Sequence, residues 1–259
     1  MKPAKLILAI ATLSTLTVCA SANAALIDDT FTGPDGTFPT SNFGWYNQNI
    51  DAGGLKWGVY NGRLFAYSGN GQWTSVNKSF GPQILDVGET LTLSFSIVGN
   101  SNKAGNLNIG FINMGTLFTS DLMGSTGVFD GKPAWYLTQA LGATTATYRD
   151  ASGTVKDGLT SDSISTSNAS PTTVTFSLHR SGTDKLSISA TVGSVTLTAY
   201  EATTTNFTFD TIRLYVPGNG GNVAFDNIKL ELTAIPEPTT GTMIGGLMIL
   251  AFVFASRRR

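Results

Sequence analysis

Between residues 25 and 235 the chain alternates apolar and polar positions with a period of two. Leu91, Leu93, Phe95 and Ile97 are separated by Thr92, Ser94 and Ser96, and Leu107, Ile109 and Phe111 repeat the pattern. It returns at Val174, Phe176 and Leu178, at Leu186, Ile188 and Ala190, and at Val195, Leu197 and Ala199. Successive side chains of a strand point to opposite faces, so each run puts one face in a core and the other toward water. No run carries apolar residues at i, i+3, i+4 and i+7 for long enough to make a helix. Turn formers separate the runs: Gly99-Asn100-Ser101-Asn102, Asp150 to Gly153, Ser181-Gly182-Thr183-Asp184 and the stretch 217 to 222. Such residues supply positive φ or local hydrogen bonds at tight turns. Short strands joined by hairpins predict an all-β, antiparallel two-sheet sandwich, because a parallel sheet needs a crossover helix between strands. No linker divides this region, and the Ser/Thr-rich stretch 160 to 173 reads as a long loop or a weak edge strand.

One pattern occurs twice. Residues 207 to 216 and 223 to 232 share apolar-x-Phe-Asp-x-Ile-basic-Leu-x-apolar, with Asp210 and Asp226 in equivalent places. Inward parity switches between the Phe and the Ile, which a strict strand cannot do without putting an apolar residue in water. Both copies are therefore expected to bulge or bend at the Asp.

The two ends are patterned differently. Residues 1 to 24 have a basic start at Lys2 and Lys5, an apolar stretch from Leu6 to Val18 and small residues at Ala22-Asn23-Ala24, the arrangement of a secretory signal peptide. The mature chain then begins near Ala25. Cys19, the one cysteine, falls inside this leader, and Val18 stands where a lipoprotein site wants a small residue. At the other end, residues 235 to 259 carry Pro236-Glu237-Pro238, an apolar run from Met243 to Ala255, and Arg257-Arg258-Arg259. At about 1.5 Å per residue the strict run spans about 20 Å, a short transmembrane helix against a hydrocarbon core of about 30 Å. The arginines keep to the cytoplasmic side and leave the domain 25–234 across the membrane.

A Pro-Glu-Pro triplet, a short apolar helix and a terminal Arg cluster, in that order, resemble the PEP-CTERM sorting tail of Gram-negative bacteria. The resemblance implies recognition at Pro236-Glu237-Pro238 by an exosortase, removal of the tail, and delivery to the cell surface or an exopolysaccharide matrix such as that of a biofilm. A single-pass anchor that is never cut is the alternative reading of the same residues.

Of 259 residues, 41% are hydrophobic and only 13% charged. Such low charge argues against a coiled coil, a helical repeat or a nucleic-acid binder. Setting aside Lys2, Lys5, the three terminal arginines and Glu237 leaves 11 basic and 16 acidic residues, a net charge of -5 on the domain. DNA, RNA and anionic headgroups are poor partners for such a surface, whereas neutral glycans and cations remain open. A domain of this size buries enough surface to dispense with disulfides.

A second resemblance extends over most of the mature chain. Asp28-Asp29-Thr30-Phe31-Thr32-Gly33-Pro34-Asp35-Gly36, then Trp57-Gly58-Val59-Tyr60-Asn61-Gly62-Arg63-Leu64, then Phe225-Asp226-Asn227-Ile228-Lys229-Leu230 are similar to the opening, early and closing strands of concanavalin A-like (laminin-G-like) jelly rolls. This implies a jelly-roll sandwich whose first and last strands lie side by side.

The chemistry is sparse. Enzymes on this jelly roll that resemble laminarinases use a Glu-x-Asp-x-Glu strand, because nucleophile and acid must flank one bond at about 5 to 5.5 Å. Here Glu89, Glu201 and Glu231 have no carboxylate at i+2, and Glu89 sits in a turn signal. His179 is the one histidine; parity turns it to solvent beside Arg180, and no Gly-x-Ser-x-Gly elbow accompanies it. No catalytic residue is assigned, and the chain reads as a non-enzyme. Calcium is the metal this composition permits as a structural cofactor, with oxygen ligands at Asp28, Asp29 and Asp226 if the first and last strands converge. Trp45, Trp73 and Trp135, interleaved with Asn and Gln, are the candidate platforms for stacking on sugar faces, against the reading that tryptophans pack in cores. The leading expectation is thus a surface or matrix protein with a structural or carbohydrate-binding role. A polysaccharide hydrolase on the same fold and a calcium-dependent protein-protein adhesin are the alternatives.

Overall fold

Alternation becomes geometry wherever it is strict. We describe a computed structural model, covering residues 23–37, 43–48, 57–66, 73–99, 105–122, 128–166, 170–216 and 223–234. Sixteen strands follow in chain order: β1 (Asn23–Asp29), β2 (Tyr46–Gln48), β3 (Trp57–Tyr60), β4 (Arg63–Ala66), β5 (Thr74–Ile84), β6 (Thr90–Gly99), β7 (Asn106–Ile112) and β8 (Ala134–Ala140). They continue as β9 (Thr145–Asp150), β10 (Gly153–Thr160), β11 (Thr172–Arg180), β12 (Lys185–Val192), β13 (Val195–Thr196), β14 (Tyr200–Thr203), β15 (Thr208–Val216) and β16 (Val223–Thr233). The sorting residues Pro236, Glu237, Pro238, Arg257, Arg258 and Arg259, the short apolar helix expected before those arginines, and leader residues 1 to 22 lie outside the described residues.

Two antiparallel sheets form. One runs β13-β12-β11-β6-β16-β4-β3, with β1 added on β16 and β14 on β12; the other runs β10-β9-β8-β7-β15-β5-β2. The all-β two-sheet expectation holds; of the stretch 160 to 173, read as a long loop or a weak edge strand, residues 161–166, 170 and 171 lie between β10 and β11 outside any strand. The first and last strands are neighbours, Asn23 opposite Thr233 and Asp29 opposite Ile228. Asn23 and Ala24, read from the sequence as the end of the leader, pair within β1.

The core fills the space between the sheets. Phe111 of β7 stacks on Phe176 of β11, with ring centroids 5.6 Å apart and 18° between planes. Trp57, Val59 and Leu64 point inward and are fully buried, as are Leu91, Leu93 and Ile97. Burying each such side chain contributes about 1.5 to 3 kcal/mol.

Both repeated Phe-Asp patterns sit at irregularities, but of two kinds. In β16 the register against β6 shifts between Asp226 and Lys229, so the extra residue lies on β16 itself, and Asn227 takes a positive φ of 51°. In β15 the shift against β5 falls between Phe209 and Thr211, and the surplus residues belong to β5. They include Gly81, at φ 82°, followed by Pro82, which cannot donate to a ladder.

A partly buried ion pair ties the N-terminal strand to the opposite sheet. Lys78 Nζ donates to Asp29 Oδ2 at 2.6 Å and to the Phe43 carbonyl at 2.8 Å, while Trp45 Nε1 donates to the same Asp29 oxygen at 2.7 Å. Removing one partner leaves the other charge under-solvated. Lys78→Met is therefore expected to cost about 2 kcal/mol, the figure being discounted because both side chains keep some contact with water. Urea denaturation checks this; an unchanged midpoint would show that the pair is dispensable.

Candidate functional site

The outward face of the seven-stranded sheet carries the densest polar chemistry. Register aligns one residue from each strand: Tyr46 with Asn77, Asn77 with Arg213, Arg213 with Gly110, Gly110 with Tyr136, Tyr136 with Arg149, and Arg149 with Thr154. The intervening positions Val76, Leu214, Ile109, Leu137 and Tyr148 are buried in the core, so this row faces away from it. Two residues along lies a second row, Gln48, Ser75, Tyr215, Asn108, Thr138 and Thr147. Neither row contains a carboxylate.

Arg213 is the centre of the face. Its Nη2 donates to Gln48 Oε1 at 3.3 Å, an oxygen that also accepts from Ser75 Oγ at 2.8 Å. The guanidinium carbon lies 4.0 Å over the Phe129 ring and 5.3 Å over that of Tyr215. Tyr136 lies beside it in hydrogen-bonding reach. Gly110 makes this approach feasible: a Cβ there would run into the Trp135 carbonyl and the Tyr136 ring. Burial pushes the Tyr136 hydroxyl above its ordinary range and Arg213 pulls it partly back; Tyr215 behaves the same way. Both phenols keep their protons at neutral pH and can donate as well as accept.

Aromatic groups stand at both margins. Trp73 stacks on Tyr215 with centroids 5.7 Å apart and 30° between planes. On the other side the segment after β7 folds over the sheet, burying Met114 and Phe129 against Ile112 and Ala134. Asp210 holds that segment, accepting from the Met114 amide at 2.9 Å and the Gly115 amide at 2.7 Å. A cleft of about 380 Å³ opens beside Arg213, lined among others by Phe129, Lys132, Tyr136 and Arg213 itself. Two carboxylates border it. Asp150 is occupied by the Ser152 and Gly153 amides of the β9–β10 turn, and Asp130 is exposed.

The residues singled out by sequence fare unevenly. Trp45 is fully buried, which corrects its reading as a sugar platform: its one polar atom finds Asp29, so the whole indole can leave water. Trp135 is corrected likewise. It shares the inward parity of Phe111, its cross-strand partner, and only 8% of it is exposed. Trp73 alone of the three borders the outward face, half-buried.

The calcium set is not assembled either. Asp28 is exposed opposite Lys229, Asp29 is committed to Lys78 and Trp45, and Asp226 receives the Asn227 amide and lies 3.9 Å from Arg63. Among the described residues no three of His, Cys, Asp and Glu come together as a metal site. Lys78 and Arg63 take up two of the three carboxylates that spacing alone left free. His179 is half-buried, with Nδ1 3.0 Å from Thr90 Oγ1, rather than turned fully to solvent.

Arg213, Tyr136, Arg149 and Tyr215 were missed by sequence reasoning. Each occupies the polar phase of an alternating strand, a signal that was present, but only cross-strand register aligns them.

No protein-family model matches this chain. No curated protein matches it either. Solved structures do, and what they share with it is the fold, a two-sheet antiparallel jelly-roll sandwich. An endo-1,3-beta-glucanase from Streptomyces sioyaensis superposes with a TM-score of 0.57 at 13% identity, over 82% of this chain and 97% of that one. Alginate lyase Aly36B superposes at 0.52 with 12% identity, over 80% and 96%. A mutant of that lyase, in complex with alginate trisaccharide, gives 0.51 at 12% identity, over 80% and 97%.

Proposed function

We propose that this is an exported protein of the cell surface or exopolysaccharide matrix whose jelly roll binds polysaccharide on the outward face of the seven-stranded sheet. The observation that carries the reading is the pair of carboxylate-free rows: Asn108, Thr147, Thr154 and two protonated tyrosines reach the surface of the floor, and Trp73 stands at its margin. Flat rings stack on sugar faces while fixed donors and acceptors select hydroxyl geometry. That the sandwich also serves a glucanase and an alginate lyase supports a carbohydrate role for this architecture. The absence of a carboxylate pair in the rows supports binding rather than hydrolysis.

Export rests on the leader 1–24, and delivery on Pro236-Glu237-Pro238, the apolar run and Arg257-Arg258-Arg259, read by an exosortase. Intact-mass measurement of the surface form is expected to find a start near Ala25 and loss of the tail; a surface form still ending in Arg259 would overturn the exosortase step. For binding, affinity electrophoresis of the purified protein in gels cast with different polysaccharides is expected to show retardation by at least one of them. Trp73→Ala should weaken it about tenfold, the loss of one stacking platform. Migration unchanged in every gel would remove the glycan reading.

A further inference from the structure

We infer that the glycan taken by this face is an acidic one, its uronate carboxylates received by Arg213 and Arg149. The inference rests on the binding reading above and specifies its ligand class. Although the domain carries a net charge of -5, two of its four arginines stand in one row of this face. At about 4.8 Å per strand, the three strand steps from β15 to β9 put their Cα atoms about 14 Å apart. Lys132, whose Nζ donates to the Met114 carbonyl at 2.9 Å, adds a third positive charge beside Arg213.

The decisive feature is what these arginines lack. Every other close pairing of opposite charges among the described residues is made elsewhere: Arg63 with Asp226, Lys78 with Asp29, Lys229 with Glu231. Neither Arg213 nor Arg149 has a carboxylate within 4 Å among the described residues, and Nε of each is buried without a hydrogen-bond acceptor. Asp157 feels the charge of Arg149, but its oxygen already accepts from Thr147 and the Gly158 amide. Burying an N–H of a cation unpaired is costly, so both guanidiniums are held short of an anionic partner. Arg213 moreover lies over the Phe129 ring, its guanidinium carbon 4.0 Å from the centroid, while Tyr136 supplies a neutral donor beside it.

Binding of the purified full-length protein to polygalacturonate, to its fully methyl-esterified form, to dextran sulfate and to dextran tests this. The esterified chain keeps the sugar and removes the charge. Polygalacturonate is expected to bind at least tenfold tighter than its ester at low salt, with the preference shrinking as salt is raised. Arg213→Gln should erase most of that preference and Arg149→Gln part of it. Arg63→Gln, on the other sheet, should leave it intact, and unchanged thermal melting identifies variants that fold. Equal binding of acid and ester would overturn the acidic class while leaving the glycan reading in place. Dextran sulfate binding as tightly as polygalacturonate would replace carboxylate recognition by simple charge attraction. No binding to any of the four would refute the uronate assignment, and the wider gel panel would then decide the glycan reading separately.

Discussion

Gly110→Ala is expected to lower the stability of the domain by about 3 kcal/mol, and Gly110→Val by more. Overpacking a filled site generally costs about 1 to 3 kcal/mol because neighbouring side chains absorb part of the intrusion. Here the obstacle is backbone: the new Cβ meets the Trp135 carbonyl and the Tyr136 ring, both of the strand paired with β7. Relief requires opening the β7–β8 ladder in the middle of the sheet. Against a typical net stability of about 5 to 15 kcal/mol this is a large fraction, equivalent to about 10 °C in melting temperature for a domain of this size. Thermal and urea unfolding of the alanine variant measure it. A melting temperature within a degree of the parent would show that the strands yield there and that the closeness of Arg213 to Tyr136 does not depend on the missing side chain.

Asp210→Ala is the second. Its carboxylate is 3% exposed and receives two amides, Met114 and Gly115, together with the Thr211 hydroxyl at 2.8 Å. Hydrogen bonds to a charged group contribute about 1.5 to 3 kcal/mol each, and orphaned buried amides add a desolvation cost. A loss of about 3 kcal/mol is expected, together with faster hydrogen exchange at 114 and 115. Asp210→Asn, which keeps one acceptor, should fall between. Because the same segment buries Met114 against Phe129, the ring beneath Arg213 should loosen, and glycan affinity should drop more than the fold does. Unchanged exchange at the two amides would mean that the segment is held by its apolar contacts alone.

Both predictions concern residues whose importance was only half visible in the sequence. Alternation at Leu91 to Ile97 and at Val174 to Leu178 was enough to place strands and their inward faces, because burial of one face dictates parity. The Phe-Asp repeat marked two irregularities, yet not which chain bulges. For β15 the surplus falls on β5, where Phe80-Gly81-Pro82 is the local reason. It also gave no sign that Asp210 reaches 95 residues back to hold a loop. Trp45 and Trp135 were misplaced because an aromatic run without cross-strand partners looks alike on either face. The row of Arg213, Tyr136 and Arg149 became legible only through register, since its members come from β15, β8 and β9.

The pairing of Asn23 with Thr233 brings the domain's two ends to one spot. β16 is also an interior strand, held by β6 along one side and by β4 and β1 along the other. Drawing the ends apart would peel β1 away rung by rung, at low force. Traction from Ala234 against a polymer gripped on the far sheet would instead load the ladders flanking β16 in shear, many rungs together. The domain is therefore mechanically anisotropic, weak to separation of its own ends and strong when hauled by its rear.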